Sequence, residues 1–247
     1  MKIIARYRDF KNDFLLFKAL LAKSTSKGNS YLNGLASWSQ FLKWRHSLTD
    51  GVSSISERMP WMTIDAIEML EGKLSNQARV FEFGGGGSTL FFLDRVAEVN
   101  TVEHDSIWFE ELLKNTEKSK KWNGLLMEPK RIDNFSSLSQ STPEHYISDD
   151  PKFINFSFED YVKAIDKFPD NYFDLVSIDG RSRPSCIKHA ISKIKKGGWL
   201  LLDNAEREYY QPAMDLLKPE SFKVVLNKEG LLIFCRWTTT TRIWEKI

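Results

Sequence analysis

Apolar residues in the first third of the chain recur at helical spacing. Phe10, Phe14, Phe17 and Leu21 stand four, three and four residues apart, which puts one apolar stripe on a helix over 10–23. Trp38, Phe41, Leu42 and Arg45 mark a second helical pattern, and the stretch 24–34, rich in Ser, Gly and Asn, reads as a connector. A third helix is predicted over 60–74, with Pro60 near its first turn and Ile64, Ile67, Met69 and Leu70 as its apolar contacts. From Arg79 the texture changes, and short apolar runs alternate with helical patterns as in successive βα units. Strands are predicted at 79–83, 99–103, 124–128, 172–178, 198–203, 221–226 and 231–236, with helices at 88–96, 105–119, 157–167, 184–195 and 206–217. The last two strands face each other across 227–230, a short segment holding Asn and Gly, and are expected to form an antiparallel hairpin. The stretch 134–152, rich in Ser, Asp and Pro, stands where a binding loop after the third strand would sit. The chain thus divides into a helical extension, 1–78, serving as a lid or a packing subdomain, and an α/β domain, 79–247.

The composition bounds what that architecture can do. With 247 residues, 42% apolar and 28% charged, the chain can bury one large core and is too well mixed for a disordered or fibrous protein. A net charge of +2 lacks the basic footprint of a nucleic-acid-binding protein, so no nucleic-acid partner is expected. Cys186 and Cys235 are too few for a disulfide framework, and they read as parts of a buried helix face and a buried strand, which suits a reducing, cytoplasmic setting. No apolar run approaches the roughly 20 residues of a membrane span, and 1–8 lacks the apolar stretch of a signal peptide. Aromatic residues make 13% of the chain, and core packing accounts for most of them better than a ligand cleft does.

The most informative run is Val80-Phe81-Glu82-Phe83-Gly84-Gly85-Gly86-Gly87-Ser88-Thr89, an apolar strand passing through four glycines into a helix. Such glycines let the backbone turn sharply and approach a ligand, and the helix start offers free N–H groups. A tight turn without a ligand is the alternative. The register starting at Gly84 and Gly86 puts Thr89 where a dinucleotide fingerprint needs glycine or alanine, which weakens an NAD reading. Glu82 would repel a pyrophosphate but suits a ligand carrying an ammonium group, as S-adenosylmethionine does. Glu103, 19 residues after Gly84 at the end of the second strand, can accept hydrogen bonds from both hydroxyls of a ribose.

In these features the chain resembles the class I S-adenosylmethionine-dependent methyltransferases over about 79–236. The resemblance implies a Rossmann-like three-layer α/β sandwich. Its seven-stranded sheet is mostly parallel, with order 3-2-1-4-5-7-6 and one antiparallel strand, and the cofactor lies over the carboxyl ends of strands one and two. The residues it assigns to the cofactor are Glu82, Phe83, Gly84, Gly85, Gly86, Ser88, Glu103, His104 and Asp179; Ser88 stands where many members have a third glycine.

Two further strands end in carboxylates, Phe173 to Asp179 and Gly198 to Asp203-Asn204. This is similar to metal-dependent O-methyltransferases of the catechol and caffeoyl-coenzyme A type. The similarity implies a Mg²⁺ site made of Asp179, Asp203 and Asn204. The alternative is that these residues cap the helices that follow them. The family's catalytic lysine is replaced by Ser182, and Arg181 stays protonated, so Asp203 is the candidate base, with Asp179 and Arg181 beside it in the catalytic set. Arg181 and Arg183 either grip an anionic acceptor or pair with local acids. His46, His104, His145 and His189 show no metal spacing, and Lys193, Lys195 and Lys196 are read as complementing the end of the helix before Gly197.

The expected function is methyl transfer from S-adenosylmethionine to an oxygen of a small molecule or glycoside, with Trp38, Trp44 and Trp61 covering the acceptor side and a homo-oligomer allowed. An NAD-dependent oxidoreductase and a non-catalytic binding protein are the rival readings.

Overall fold

The computed structural model describes residues 2–25, 34–117, 119–133 and 135–247, with side chains described for 9–22 and from 38 onward within those ranges. Residues 26–33 of the expected connector and Asn134 of the expected loop lie outside them. Three helices come first: α1 (Lys2–Thr25), α2 (Gly34–Ser47) and α3 (Ile64–Lys73). The alternating part begins β1 (Arg79–Phe83), α4 (Gly87–Leu93), β2 (Glu98–Glu103), α5 (Ser106–Thr116), β3 (Trp122–Leu126). Two short strands, β4 (Lys130–Arg131) and β5 (Phe156–Ser157), pair antiparallel away from the main sheet. Then follow α6 (Glu159–Lys163), β6 (Phe173–Ile178), α7 (Arg183–Ala190), β7 (Ile194–Leu202), α8 (Gln211–Met214), β8 (Phe222–Leu231) and β9 (Thr238–Lys246).

The main sheet has seven strands in the order β3-β2-β1-β6-β7-β9-β8, with β9 antiparallel to both of its neighbours. With the two short strands set aside, this is the order the resemblance implied. The central strands are buried on both faces, which is why they read as nearly continuous apolar runs. Alternate residues serve opposite layers. Phe81, Phe83, Leu200 and Leu202 pack with Tyr161, Ile187 and Met214, whereas Val80 and Leu201 pack with Ala66, Leu70 and Phe91 from α3 and α4. A third cluster joins Phe17, Phe41 and Trp44 to Ile64 and Leu231, so the first two helices close over the end of β8. Phe41 takes edge contacts from Phe10, Phe14 and Phe17 at 5.2 to 5.3 Å, and the Trp44 Nε1 donates to the Cys235 carbonyl at 2.8 Å.

Several expected elements are corrected. Of the strand placed at 231–236 only Leu231, the last residue of β8, is in the sheet, and the second arm of the hairpin is β9; residues 227–230, read as its turn, lie within β8 and pair with Thr239–Arg242. The apolar run Leu231-Leu232-Ile233 misled because helices, not a sheet, bury it, while the true strand is a β-branched threonine run with Thr239 and Thr241 buried. Cys235 accordingly sits in the loop between β8 and β9 and not in a strand. Helix α7 stops at Ala190, and β7 starts at Ile194, so the three lysines do not cap a helix: Lys193 pairs with Asp170 and Lys195 with Asp174. The helix expected over 206–217 shrinks to α8 and a preceding turn, starting where Pro212 can occupy a first helical turn without losing a hydrogen bond.

Replacing Trp44 with alanine removes the centre of the third cluster and strands the Cys235 carbonyl, and is expected to cost about 3–5 kcal/mol in denaturant unfolding. Trp38→Ala, at a side chain 43% exposed, is expected to cost about 1 kcal/mol or less by the same measurement.

Candidate functional site

The carboxyl ends of β1, β2 and β6 meet around a cavity of about 390 Å³. Its floor is the glycine turn. Gly84 holds φ at +87°, and a Cβ there would sit 2.8 Å from the Gly180 Cα, so the turns after β1 and β6 approach backbone to backbone. Cross-bonds fix that approach: the Asp179 N–H donates to the Phe83 carbonyl at 3.1 Å and the Gly84 N–H to the Val102 carbonyl at 2.9 Å. A Cβ at Gly87 would collide with the Ser54 and Met59 carbonyls, so the segment before α3 lies directly on the start of α4.

The residues singled out in the sequence fall into two sets. Gly84, Gly85, Gly86, Ser88, Glu103, His104, Asp179 and Arg181 all line the cavity, whereas Glu82 and Phe83 do not. Phe83 is buried in the core against Phe81 and Tyr161. Glu82 lies beneath the turn, where its Oε2 accepts from Thr89 Oγ1 at 2.6 Å and Thr101 Oγ1 at 3.1 Å. Its Oε1 is buried without a hydrogen-bond partner. Burial pushes the Glu82 carboxyl up to about 7, against the hydroxyls of Ser88, Thr89 and Thr101, which favour the charged form.

Glu103 is held differently. Its Oε1 accepts from the His104 and Asp105 N–H groups at 2.7 and 2.9 Å, and Oε2 accepts from the Gly85 N–H at 2.9 Å. Burial raises its pKa, yet His104 and these backbone donors outweigh burial and hold the carboxyl below its ordinary value. It therefore remains a carboxylate, and Oε2, with one backbone donor, keeps acceptor capacity for a hydroxyl. The His104 ring packs against Phe153, Phe158 and Tyr161. Trp108 was missed by sequence reading: its Nε1 donates to the Gly85 carbonyl at 2.6 Å, so its indole walls the cavity over the glycine turn. The signal was available in Asp105, which caps α5 by accepting from the Trp108 N–H at 2.9 Å and so sets Trp108 on the first turn after Glu103.

The proposed metal ligands are corrected by an arginine. Buried Arg183 spends five N–H donors on the Gly180, Asp179 and Asp203 carbonyls, the Asp179 carboxylate and the Asn204 amide oxygen, at 2.5 to 3.2 Å. The guanidinium thus takes Asp179 Oδ1 and Asn204 Oδ1, and Thr241 takes Asp203 Oδ1, so a buried cation already stands where the set Asp179, Asp203 and Asn204 would hold Mg²⁺ and the set does not fit it. Nor do these residues cap helices: Ser182 is the cap position of α7, and the Asn204 Nδ2 donates to Thr239 at 2.9 Å. Burial lowers the Arg183 pKa, but Tyr210, Asp179 and Asp203 more than reverse that and keep it charged. Asp203, with Oδ1 accepting from Thr241 at 2.7 Å, is pushed up to about 7 by burial and by the neighbouring Asp179 charge. Asp179 is itself raised by burial, opposed by Arg183 and Arg181. Arg181 pairs with Asp150 at 3.0 Å, so both arginines engage local acids.

Arg183→Met leaves five oxygens without their donor and is expected to cost about 3–5 kcal/mol of stability, of which Arg183→Lys restores only part. Thermal melts with and without millimolar Mg²⁺ should superimpose for the unaltered protein; a magnesium-dependent rise would contradict the occupied-oxygen account.

No protein-family model matches the chain, and no curated protein does. Solved structures do match. A candidate rRNA methylase from Clostridium thermocellum superposes with a TM-score of 0.50 at 12% identity, over 74% of this chain and 94% of that one. A candidate methyltransferase from Streptococcus mutans, in complex with S-adenosylhomocysteine, gives 0.48 at 13% identity over 73% and 94%. Aeropyrum pernix fibrillarin, with natively bound S-adenosylmethionine, gives 0.45 at 13% identity over 70% and 68%. These matches correct one expectation. The first of these proteins is described as an rRNA methylase, so this architecture does not set nucleic acid aside, and a net charge of +2 is too coarse a quantity to do so. The acceptor expected from the sequence, a small molecule or glycoside to the exclusion of nucleic acid, is therefore withdrawn. Among the described residues no helix is long and apolar enough to cross a membrane. What the likeness carries is architecture: the chain has the fold of the class I S-adenosylmethionine-dependent methyltransferases.

Proposed function

We propose that this chain is an S-adenosylmethionine-dependent methyltransferase that acts without a divalent metal. The observation that carries the reading is the pairing of two unlike carboxyls around one glycine turn. Glu103 is a fixed carboxylate on the cavity wall, suited to a ribose diol, and Glu82 is a buried carboxyl beneath the turn, beside the Ser88 hydroxyl that lines the cavity, and its charge complements an ammonium. When bound, the cofactor supplies an electrophilic methyl group. The chain's own residues do the rest: the glycine turn and Trp108 shape the floor and wall, and the segment before α3, part of the helical extension 1–78, closes over α4 through Gly87.

A second cavity of about 300 Å³ adjoins the first, and Trp61 and Asp179 line both. Asp203, Arg207 and Trp237 line the second alone. We assign it to the acceptor. The Asp203 carboxyl, near 7, is matched to taking a proton from an acceptor hydroxyl near neutral pH, and Thr241 fixes its orientation. Trp61 and Trp237 present half-exposed indoles on which a planar group can stack, which makes structured RNA the first acceptor to assay. The free, buried Cys186 and Cys235 suit a reducing, cytoplasmic setting.

S-adenosylhomocysteine at a hundred times its Kd is expected to stabilise the protein by about 2.7 kcal/mol in thermal or chemical denaturation. Glu103→Gln should weaken that ligand tenfold or more by calorimetry. A stabilisation by NAD with none from S-adenosylhomocysteine would sink the reading. The Glu82 carboxyl adds a pH dependence whose sign is fixed. Its folded pKa lies above its unfolded value of 4.5, so its contribution to apo stability is complete below 4.5 and is lost as pH rises through about 7. Affinity for the ammonium-bearing cofactor should run the other way and rise from pH 6 to 8. Glu82→Gln is expected to flatten both curves, and unchanged curves would remove Glu82 from the site.

A further inference from the structure

A further cavity lies away from the carboxyl ends of the central strands. It has a volume of about 860 Å³, lies between α8 and the β8–β9 hairpin, and shares no lining residue with the two cavities above. Arg242 lines it. This side chain stands on β9 opposite Leu202, with its guanidinium 4.8 Å from the Trp244 ring centroid. Its Nη1 has only a 3.8 Å contact to the Met214 sulfur, and its Nε is buried without a partner. Among the described residues no carboxylate is ion-paired with it. Asp215, the one acid lining the cavity, instead accepts from the Gln211 amide at 2.6 Å.

The contrast with Arg183 is instructive. Arg183 is fully buried and spends all its donors on protein oxygens, whereas Arg242 is half-buried and its buried Nε has no protein partner. A half-buried guanidinium with an orphaned donor carries an uncompensated desolvation cost, which burial expresses as a lowered pKa. Lys218 and Lys223 line the same cavity, giving three cationic side chains against one acidic side chain. The remaining surface is apolar, with Leu217, Phe222, Val224 and Trp244 among its walls.

We infer that this cavity binds an amphipathic anion, whose carboxylate or phosphate head is gripped by Arg242 and whose apolar body lies along Phe222, Val224 and Trp244. A guanidinium fork matches either head in two-point geometry, and the two lysines add charge at the margin. The site is independent of the methyl-transfer reading, because it uses neither the glycine turn nor Asp203.

Calorimetric titration of the full chain with decanoate, decyl phosphate and decanol tests this. At least one of the two anions is expected to bind, and decanol to bind tenfold more weakly or not at all. The tighter of the two anions names the head group. Arg242→Met should reduce anion binding tenfold or more while leaving the melting temperature unchanged or raised, since it removes an unpaired charge. Arg242→Lys, which keeps the charge and loses the fork, should fall between the two. S-adenosylhomocysteine affinity should be the same in all three proteins. Equal binding of decanol and the anions, or anion binding indifferent to Arg242, would overturn the inference. Co-sedimentation with phosphatidylglycerol vesicles without binding of either soluble anion would overturn it too.

Discussion

The turns that follow β1 and β6 touch through bare backbone. Gly84 and Gly180 leave no side chain between them, and the Asp179 N–H to Phe83 carbonyl bond locks the contact. This contact brings the strand-end carboxylates within reach of one cavity, with Glu103 on one flank and Asp179 on the other. A β-carbon at Gly84 would push the two turns apart and would need a left-handed backbone that a side chain disfavours. The glycine run is therefore a steric requirement of the architecture before it is a feature of any ligand.

Charge in this region is arranged by burial. Glu103 accepts from three backbone N–H groups and stays ionised; Glu82, bonded by hydroxyls, is raised to about 7 by burial, and Asp203 to about 7 by burial and the Asp179 charge. Two carboxyls near neutrality and one fixed anion thus stand at or beside the ends of three strands of one sheet, each set by the balance of burial against local donors and charges. Arg183 completes the arrangement by tying the ends of β6 and β7 with a permanent cation bonded to Asp179 Oδ1 and Asn204 Oδ1.

Much of the fold was legible because its determinants are local. Apolar runs ending at or beside Glu82, Glu103, Asp179 and Asp203 marked the parallel strands, and the family resemblance supplied their order. Legibility failed where burial came from a distant partner. Residues 231–236 look like a strand, but Leu231 ends β8 beneath the first two helices and Ile233 packs into the layer of α3 and α4. The role of Arg183 could not be read because its acceptors lie on two strands, up to 21 residues away. The three glycines from Gly84 to Gly86 told where a ligand would lie, while the environment of Glu82 depends on Thr101 from a neighbouring strand. Local patterns thus located the cavity, and only tertiary contacts set the protonation of its walls.

The partition between the two adjoining cavities has an unusual pedigree. Trp61 precedes the whole alternating region, yet its indole N–H is anchored 3.2 Å from the sulfur of Cys235, near the other extremity of the sequence. During synthesis the ribosome releases residue 61 long before residue 235. A nascent chain can lay down β1, β2 and the glycine turn and still have no finished wall between the two chambers. Maturation of the pair is consequently a late event in biogenesis, completed only when the terminal hairpin docks.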